Sequence, residues 1–380
     1  MSLDLDTSTD GVLTADAHLV QSWADLNALK QDGARTVIVA GEGAYVKDSE
    51  GNQLIDGIGG LWCVNVGHRR REIIDAITEQ LETLDFYSTF YNFTHPTAAA
   101  LAVKLAELAP GPLNKVHFAN SGSVANDGAV RILQHYYLRL GQPNKKQVLS
   151  RHGAYHGSTF LSIAMTTPEY SEGWHTAEGI VHHLKRPHYW REGGDMTEAE
   201  FRDSLIEDAK ARIEAVGAEN ICCYIAEPIM GAGGVIVPPA GYHPAMAALM
   251  RDYEIKYVSD EVVTSFGRLG RFFASKDVFS VQPDIITTAQ GAHFRLPALV
   301  CDDPVGRDPR GGFGAGRGVP PRHDLFGPPG RLGGGARQHR ADAARRHPRP
   351  GADRSASCSK KRCTGSTIST SSAKCAAVTS

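Results

Sequence analysis

The chain of 380 residues predicts an α/β fold with a large domain built on a mostly parallel sheet. Two observations predict it: short β-branched runs alternate with longer helical periods, and each strand-like run ends in a polar or glycine-rich turn. The strand-like pieces are "KVHFANSG", "QVLSRHGAYHG", "NICCYIAEP", "IKYVSDEV" and "DIITTAQG", all between about residues 97 and 290. Helical periods over Thr97 to Leu108, Asn126 to Leu140 and Glu198 to Val216 lie among them. Alternation of this kind builds βαβ units, with helices on both faces of a parallel sheet.

Bulk composition narrows the function classes. At 42% hydrophobic residues the chain can bury a sizeable core. A net charge of −2 and a pI near 6.8 give no reason to expect a nucleic-acid or membrane partner, so small, nearly neutral substrates fit better. Seven cysteines form an odd set without a C-x-x-C pair, which argues against a disulfide framework and a zinc ribbon, predicts no metal, and suits a reducing cytoplasm. The first twenty residues are acidic and lack a basic region followed by an apolar run, and no apolar stretch approaches the length of a membrane span.

Ligands of open parallel sheets sit outside the carboxyl ends of the strands, so the residues after each strand are the candidates. "KVHFA" is followed by Asn120-Ser121-Gly122-Ser123 and then by a helix with apolar positions Ala125, Ala129, Leu133, Tyr136 and Tyr137. Unpaired amides at such a helix start can cradle a phosphate, although the same residues also serve as a plain cap. "QVLSR" leads to Tyr155 and His156 between glycines, which is either a ligand-facing turn or a packed aromatic. Glu227 follows "NICCYIA", and Asp260-Glu261 follow "IKYVS". Carboxylates there need a cation or strong donors, or else act as helix caps.

Seven stretches give a specific resemblance: "DGIGGLWCVNVGH", "FYSTFYNFTHP", "FANSGSVANDGAVR", "AYHGSTF", "AEPIMGAGGVIVPPAGY", "SDEVVTSFGRLGRFF" and "QPDIITTA". In order and spacing, from about residue 35 to 290, the chain resembles class III pyridoxal-phosphate aminotransferases, in particular the ω-amine (or β-alanine) to pyruvate transaminases. The resemblance implies the type I pyridoxal-phosphate-dependent transferase fold, with a large domain and a small one. It implies pyridoxal 5'-phosphate as cofactor, with Ser121, Gly122 and Ser123 at its phosphate and Tyr155 stacked on its ring. His156 belongs to the same cofactor-binding set, Asp260 pairs with the ring nitrogen, Glu227 supports that site, and Val262 packs on the ring face opposite Tyr155. Trp62 and Tyr87 are implied to line the substrate pocket. An amine donor, a keto-acid acceptor and a homodimer with sites at the subunit interface are implied as partners.

The sequence departs from the family at three places. Val124 stands where the family usually has Glu, and Gly128 in the following helix costs about 1 kcal/mol of helix propensity. More seriously, Gln290 occupies the position of the Schiff-base lysine in the family's "AKGLTSGY". A carboxamide is neither a nucleophilic amine nor a base near neutral pH. The catalytic pair implied by the family is therefore Asp260 with a missing partner at Gln290, and the chain is expected to be inactive or severely impaired. The alternative is a non-catalytic protein that binds pyridoxal phosphate without covalent attachment.

Composition changes sharply after Val300. Residues 301 to 350 hold 11 Gly, 10 Arg and 8 Pro but no Lys, Ile, Tyr, Trp or Met, too little apolar surface to fold alone. A shifted reading frame accounts for both this tail and Gln290. With freely chosen codons, Ala-Lys-Gly-Leu-Thr-Ser-Gly-Tyr is GCC AAG GGG CTC ACT TCC GGC TAC. One C inserted after the first codon turns it into Ala-Gln-Gly-Ala-His-Phe-Arg-Leu, the residues at 289 to 296. "RHDLFGPPGRLGGGARQH" likewise hides a family-like string in a neighbouring frame, while the intervening "ALVCDDPV" reads as native and requires a compensating change. The expected organisation is residues 1 to 60 as the N-terminal segment of a small domain, 61 to 300 as the large cofactor-binding domain, and 301 to 380 as an aberrant, disordered tail that leaves the small domain incomplete.

Overall fold

Three short strands, β1 (Ile38–Glu42), β2 (Tyr45–Asp48) and β3 (Gln53–Ile55), pair in sequence as an antiparallel meander. Seven more form the main sheet: β4 (Lys115–Phe118), β5 (Gln147–Arg151), β6 (Val181–Leu184), β7 (Ile221–Ala226), β8 (Lys256–Asp260), β9 (Ile285–Thr288) and β10 (Ala298–Cys301). Five longer helices accompany them: α1 (Arg71–Thr83), α2 (Pro96–Leu108), α3 (Gly122–Arg139), α4 (Glu198–Val216) and α5 (Tyr242–Asp252). These elements come from a computed structural model that describes residues 6–22, 24, 25, 27–29, 35–289 and 298–301. Cys301, the first residue of the tail expected to be disordered, ends β10 as a buried strand residue; Gln290 and residues 302 to 380 lie outside the described residues.

The main sheet runs in the order β4-β10-β9-β8-β7-β5-β6. The pairs β6 with β5, β5 with β7, β7 with β8 and β8 with β9 are parallel, and β10 is reversed between β9 and β4. Register is set by apolar pairing, with Val300 opposite both Val116 and Ile286. All six residues of β7 are buried, as expected of a central parallel strand covered on both faces. The α/β expectation holds, and each of the five sequence-predicted strands is present.

The strand β6 was not foreseen from the sequence, because His182 and His183 interrupt its apolar pattern. As an edge strand it is only partly buried and tolerates them. The helix α3 starts at Gly122 rather than at Asn126, since Ser121 accepts the Val124 amide and caps it four residues earlier. The helix α4 matches its predicted span. Thr197 and Glu200 form a reciprocal capping box at its start, and Phe201, Leu205, Ala209 and Ile213 bury one stripe at every fourth position. They join Leu149, Tyr224, Met246 and Tyr257 in the largest core cluster, while α3 packs on β7, β8, β9 and β10.

Two histidines, the buried His243 and the partly buried His183, make a testable contribution to stability. His243 donates Nε2–H to the Pro228 carbonyl at 2.9 Å and faces the Tyr257 hydroxyl at 2.8 Å. Burial, aided by the Arg151 cation, pushes its pKa from 6.5 down to about 3. Burial likewise takes His183 down to about 4. Both groups are neutral in the folded state where the unfolded chain is already protonated, so the unfolded state binds more protons between pH 6.5 and those values. Stability therefore falls on acidification through that window, by about 1.4 kcal/mol per pH unit for each group. Thermal melts at stepped pH are expected to show this slope and His243→Gln to reduce it; an unchanged melting temperature from pH 7 to 4.5 would contradict it.

Candidate active site

At the carboxyl ends of β5, β7 and β8 a cleft of about 330 Å³ opens over the start of α3. Parallel strands place their terminal residues on one rim, and the helix dipole adds positive character there. Ser121, Gly122 and Ser123 form its floor. Their hydroxyls are engaged within the fold: Ser121 Oγ accepts the Val124 amide at 3.2 Å, and Ser123 Oγ accepts the Ser158 amide at 3.2 Å. Gly122 and Ser123 both line the cleft, and their amides head the helix where no intrahelical acceptor is available.

Space at this helix start is tight. A Cβ on Gly122 would lie 3.0 Å from Val262 Cγ2, so any side chain there would crowd the gap between helix and Val262. Gly157 follows His156 at φ +131°, and a Cβ on it would come within 2.8 Å of Ser123 Cα. Only glycine lets the loop after β5 approach the helix start so closely.

Adjacent carboxylates at the end of β8 have divergent roles. Asp260 lines the cleft and is 3% exposed. Its Oδ2 receives His156 Nδ1–H at 2.7 Å and Asn126 Nδ2–H at 2.8 Å, and its Oδ1 receives the Val262 amide at 3.1 Å. Glu261 turns the other way and accepts the amides of Ala274 and Ser275 at 2.5 and 2.9 Å, capping a short helix. Burial raises its pKa despite those donors. The two carboxylates that end one strand thus differ: Asp260 lines the cleft and Glu261 is a cap.

Glu227 also lines the cleft and joins two loops. Its carboxylate accepts the Tyr155 amide at 3.0 Å and the Gly231 amide at 2.9 Å, and burial raises its pKa. Behind it, the fully buried Arg151 donates Nη2–H to the Glu227 carbonyl at 2.7 Å and fixes that strand end. Tyr155, His156 and Val262 lie on the same cleft, as does Trp62. Trp62 is presented by a left-handed turn, with Leu61 at φ +73° and Trp62 at φ +61°. Each such residue stores on the order of 1 kcal/mol of strain. Tyr87 does not line this cleft; half exposed, its ring packs edge-on to Phe93 at 5.4 Å.

Asn126, Arg151 and Thr287 were absent from the sequence-derived set. A buried arginine ending an apolar strand was the one available signal; Asn126 and Thr287 offered none.

The site fits a flat, phosphorylated cation-bearing ring. Amides at a helix start suit a phosphate, and a buried carboxylate held by three donors on the same cleft suits a cationic ring atom. Among the described residues, however, no lysine lines the cleft.

The family model for class-III aminotransferases matches residues 28–312. A putrescine–pyruvate aminotransferase of Pseudomonas aeruginosa is 42% identical over 281 residues, 73% of this chain and 61% of that protein. A mitochondrial γ-aminobutyrate transaminase of Solanum lycopersicum is 41% identical over 257 residues, 67% of this chain and 50% of its own length. The chain thus spans only half to three-fifths of these curated relatives. Among solved structures, an (S)-enantioselective ω-transaminase from Thermomicrobium roseum superposes with a TM-score of 0.76 at 39% identity, covering 78% of this chain and 67% of that one.

Proposed function

The chain belongs to the class III aminotransferases, a family of pyridoxal 5'-phosphate enzymes, and on that premise we propose that its cleft holds this cofactor and serves amino-group transfer from an amine or ω-amino acid to pyruvate or a similar keto acid. The observation that carries the reading is the placement of Asp260, on three donors, across one cleft from the helix start at Ser121, Gly122 and Ser123. In this reading the helix amides bind the phosphate, Tyr155 and Val262 enclose the ring, and Asp260 meets the ring nitrogen. His156 and Glu227 act from behind, one on the Asp260 carboxylate and the other on the Tyr155 loop. Trp62 borders the substrate, whereas Tyr87, off this cleft, is left without that role. When bound, the cofactor supplies the electron sink for the reaction.

We further propose that this chain is inactive or severely impaired, because Gln290 stands at the position of the family's lysine and the described lining offers no substitute amine. A shifted frame is the proposed origin. The pairing of β10 on both sides supports it, since Ala298–Cys301 takes its place in the sheet only eight residues after Gln290. Sequencing the coding DNA across codons 285 to 340 tests this: a neighbouring frame that restores Ala-Lys-Gly-Leu is expected, and a clean frame with no such lysine codon overturns it. The lysine-free lining equally favours a second reading, a binding protein that holds pyridoxal phosphate without covalent attachment; a genuine Gln290 codon would select it.

The domain assignment of residues 1 to 60, 61 to 300 and 301 to 380 belongs to the same proposal, as does a homodimer. Exposed Leu81, Phe86, Phe90 and Tyr91 support the latter as an apolar surface suited to a second copy. Four free cysteines among the described residues suit the cytoplasm, and no helix among them is long and apolar enough to cross a membrane.

A further inference from the structure

Asp260 can serve a ring nitrogen only if its carboxylate is held at a fixed distance from the phosphate-binding helix start. One buried side chain connects the two. Asn126, on the first turns of α3 and 1% exposed, donates through Nδ2 to Asp260 Oδ2 at 2.8 Å and to the His156 carbonyl at 2.8 Å. Its Oδ1 accepts the Thr287 hydroxyl at 2.7 Å from β9. The amide orientation follows from its partners: two acceptors face the nitrogen and one donor faces the oxygen, and a flipped amide would set oxygen against a carboxylate. The helix that presents Ser121, Gly122 and Ser123 therefore also grips Asp260 and the loop carrying Tyr155.

We propose that Asn126 is the positioning residue that holds Asp260 against the cofactor's ring nitrogen, with Thr287 locking the Asn126 amide. This inference rests on the reading of the cleft as a pyridoxal-phosphate site. His156 also reaches Asp260 Oδ2, at 2.7 Å, but it sits on a loop whose carbonyl is itself tied down by Asn126. Removing the Asn126 amide would leave the carboxylate on a less constrained imidazole and on the Val262 amide. Buried polar groups of this kind fix geometry only while every member is satisfied.

The test compares binding of pyridoxal 5'-phosphate with its 1-deaza analogue, which lacks the ring nitrogen, by fluorescence titration of the full chain. General damage to the site weakens both ligands and cancels in their ratio. The parent protein is expected to prefer the natural cofactor at least about tenfold, the scale of one charge-assisted hydrogen bond. Asn126→Leu is expected to bring the ratio close to one. Thr287→Val should fall between, with Thr287→Ser, which keeps the hydroxyl, closer to the parent. A folded Asn126→Leu protein that keeps the parent ratio overturns the positioning role alone. Where that variant fails to fold, equal ratios for Thr287→Val and Thr287→Ser overturn it instead. If the parent binds neither ligand saturably, the cofactor reading fails and this inference with it.

Discussion

Turnover of an amine donor with pyruvate by the chain as written is expected to lie at least about 10²–10⁴-fold below that of the same protein with its frame restored through residues 289 to 296, the scale of losing a positioned general base. Glu227, Asp260 and the helix start at Ser121 are common to both proteins, so the difference lies in residues 290 to 296, and Gln290→Lys alone separates the lysine from its neighbours. Steady-state assays on the two proteins, side by side, check it. Comparable rates would mean that another group supplies the amine, and the lining of the cleft gives no candidate lysine among the described residues.

The second large effect is expected at Asp260. In the frame-restored protein Asp260→Ala should lower kcat by about 10²–10³-fold, the cost of removing one preorganised charge-stabilising partner. In the chain as written it should weaken cofactor binding, because Tyr155 and the helix amides remain but the carboxylate proposed to meet the ring nitrogen is gone. The substitution also leaves the His156 and Asn126 donors without their acceptor, at about 1–3 kcal/mol of stability. Melting temperatures taken beside the kinetics separate that loss from the catalytic one. A near-parental kcat would place the ring nitrogen elsewhere.

Much of this site was legible in the sequence because it lies at strand ends, where a change from apolar to polar residues is local and visible. Ser121, Tyr155, Glu227 and Asp260 each follow a strand-like run directly. Residue chemistry alone did not separate Asp260 from Glu261, both carboxylates after the same strand; the family resemblance singled out Asp260, and the fold places Asp260 on the cleft and Glu261 on the amides that cap Ala274–Asp277. The bond between Asn126 and Thr287 spans 161 positions in sequence, and nothing in either neighbourhood marks it. Strands β1 to β3 were missed for a different reason. Ile38, Val39, Leu54 and Ile55 remain exposed, so no alternation of buried and exposed residues announces them.

The frame reading and the cofactor reading separate cleanly in the molecule. Strand β10 (Ala298–Cys301) pairs with both β4 and β9, whereas the described lining of the cleft lies before Gln290. Loss of the lysine therefore leaves a cradle that should still recognise the phosphate and the ring.

The most direct test is to saturate the purified chain with pyridoxal 5'-phosphate, reduce it with borohydride, and measure intact mass and peptide fragments. Saturable binding that Asp260→Ala weakens is expected, with no stoichiometric adduct at a single residue after reduction. A stoichiometric adduct mapped to one lysine, or the absence of saturable binding, would contradict it.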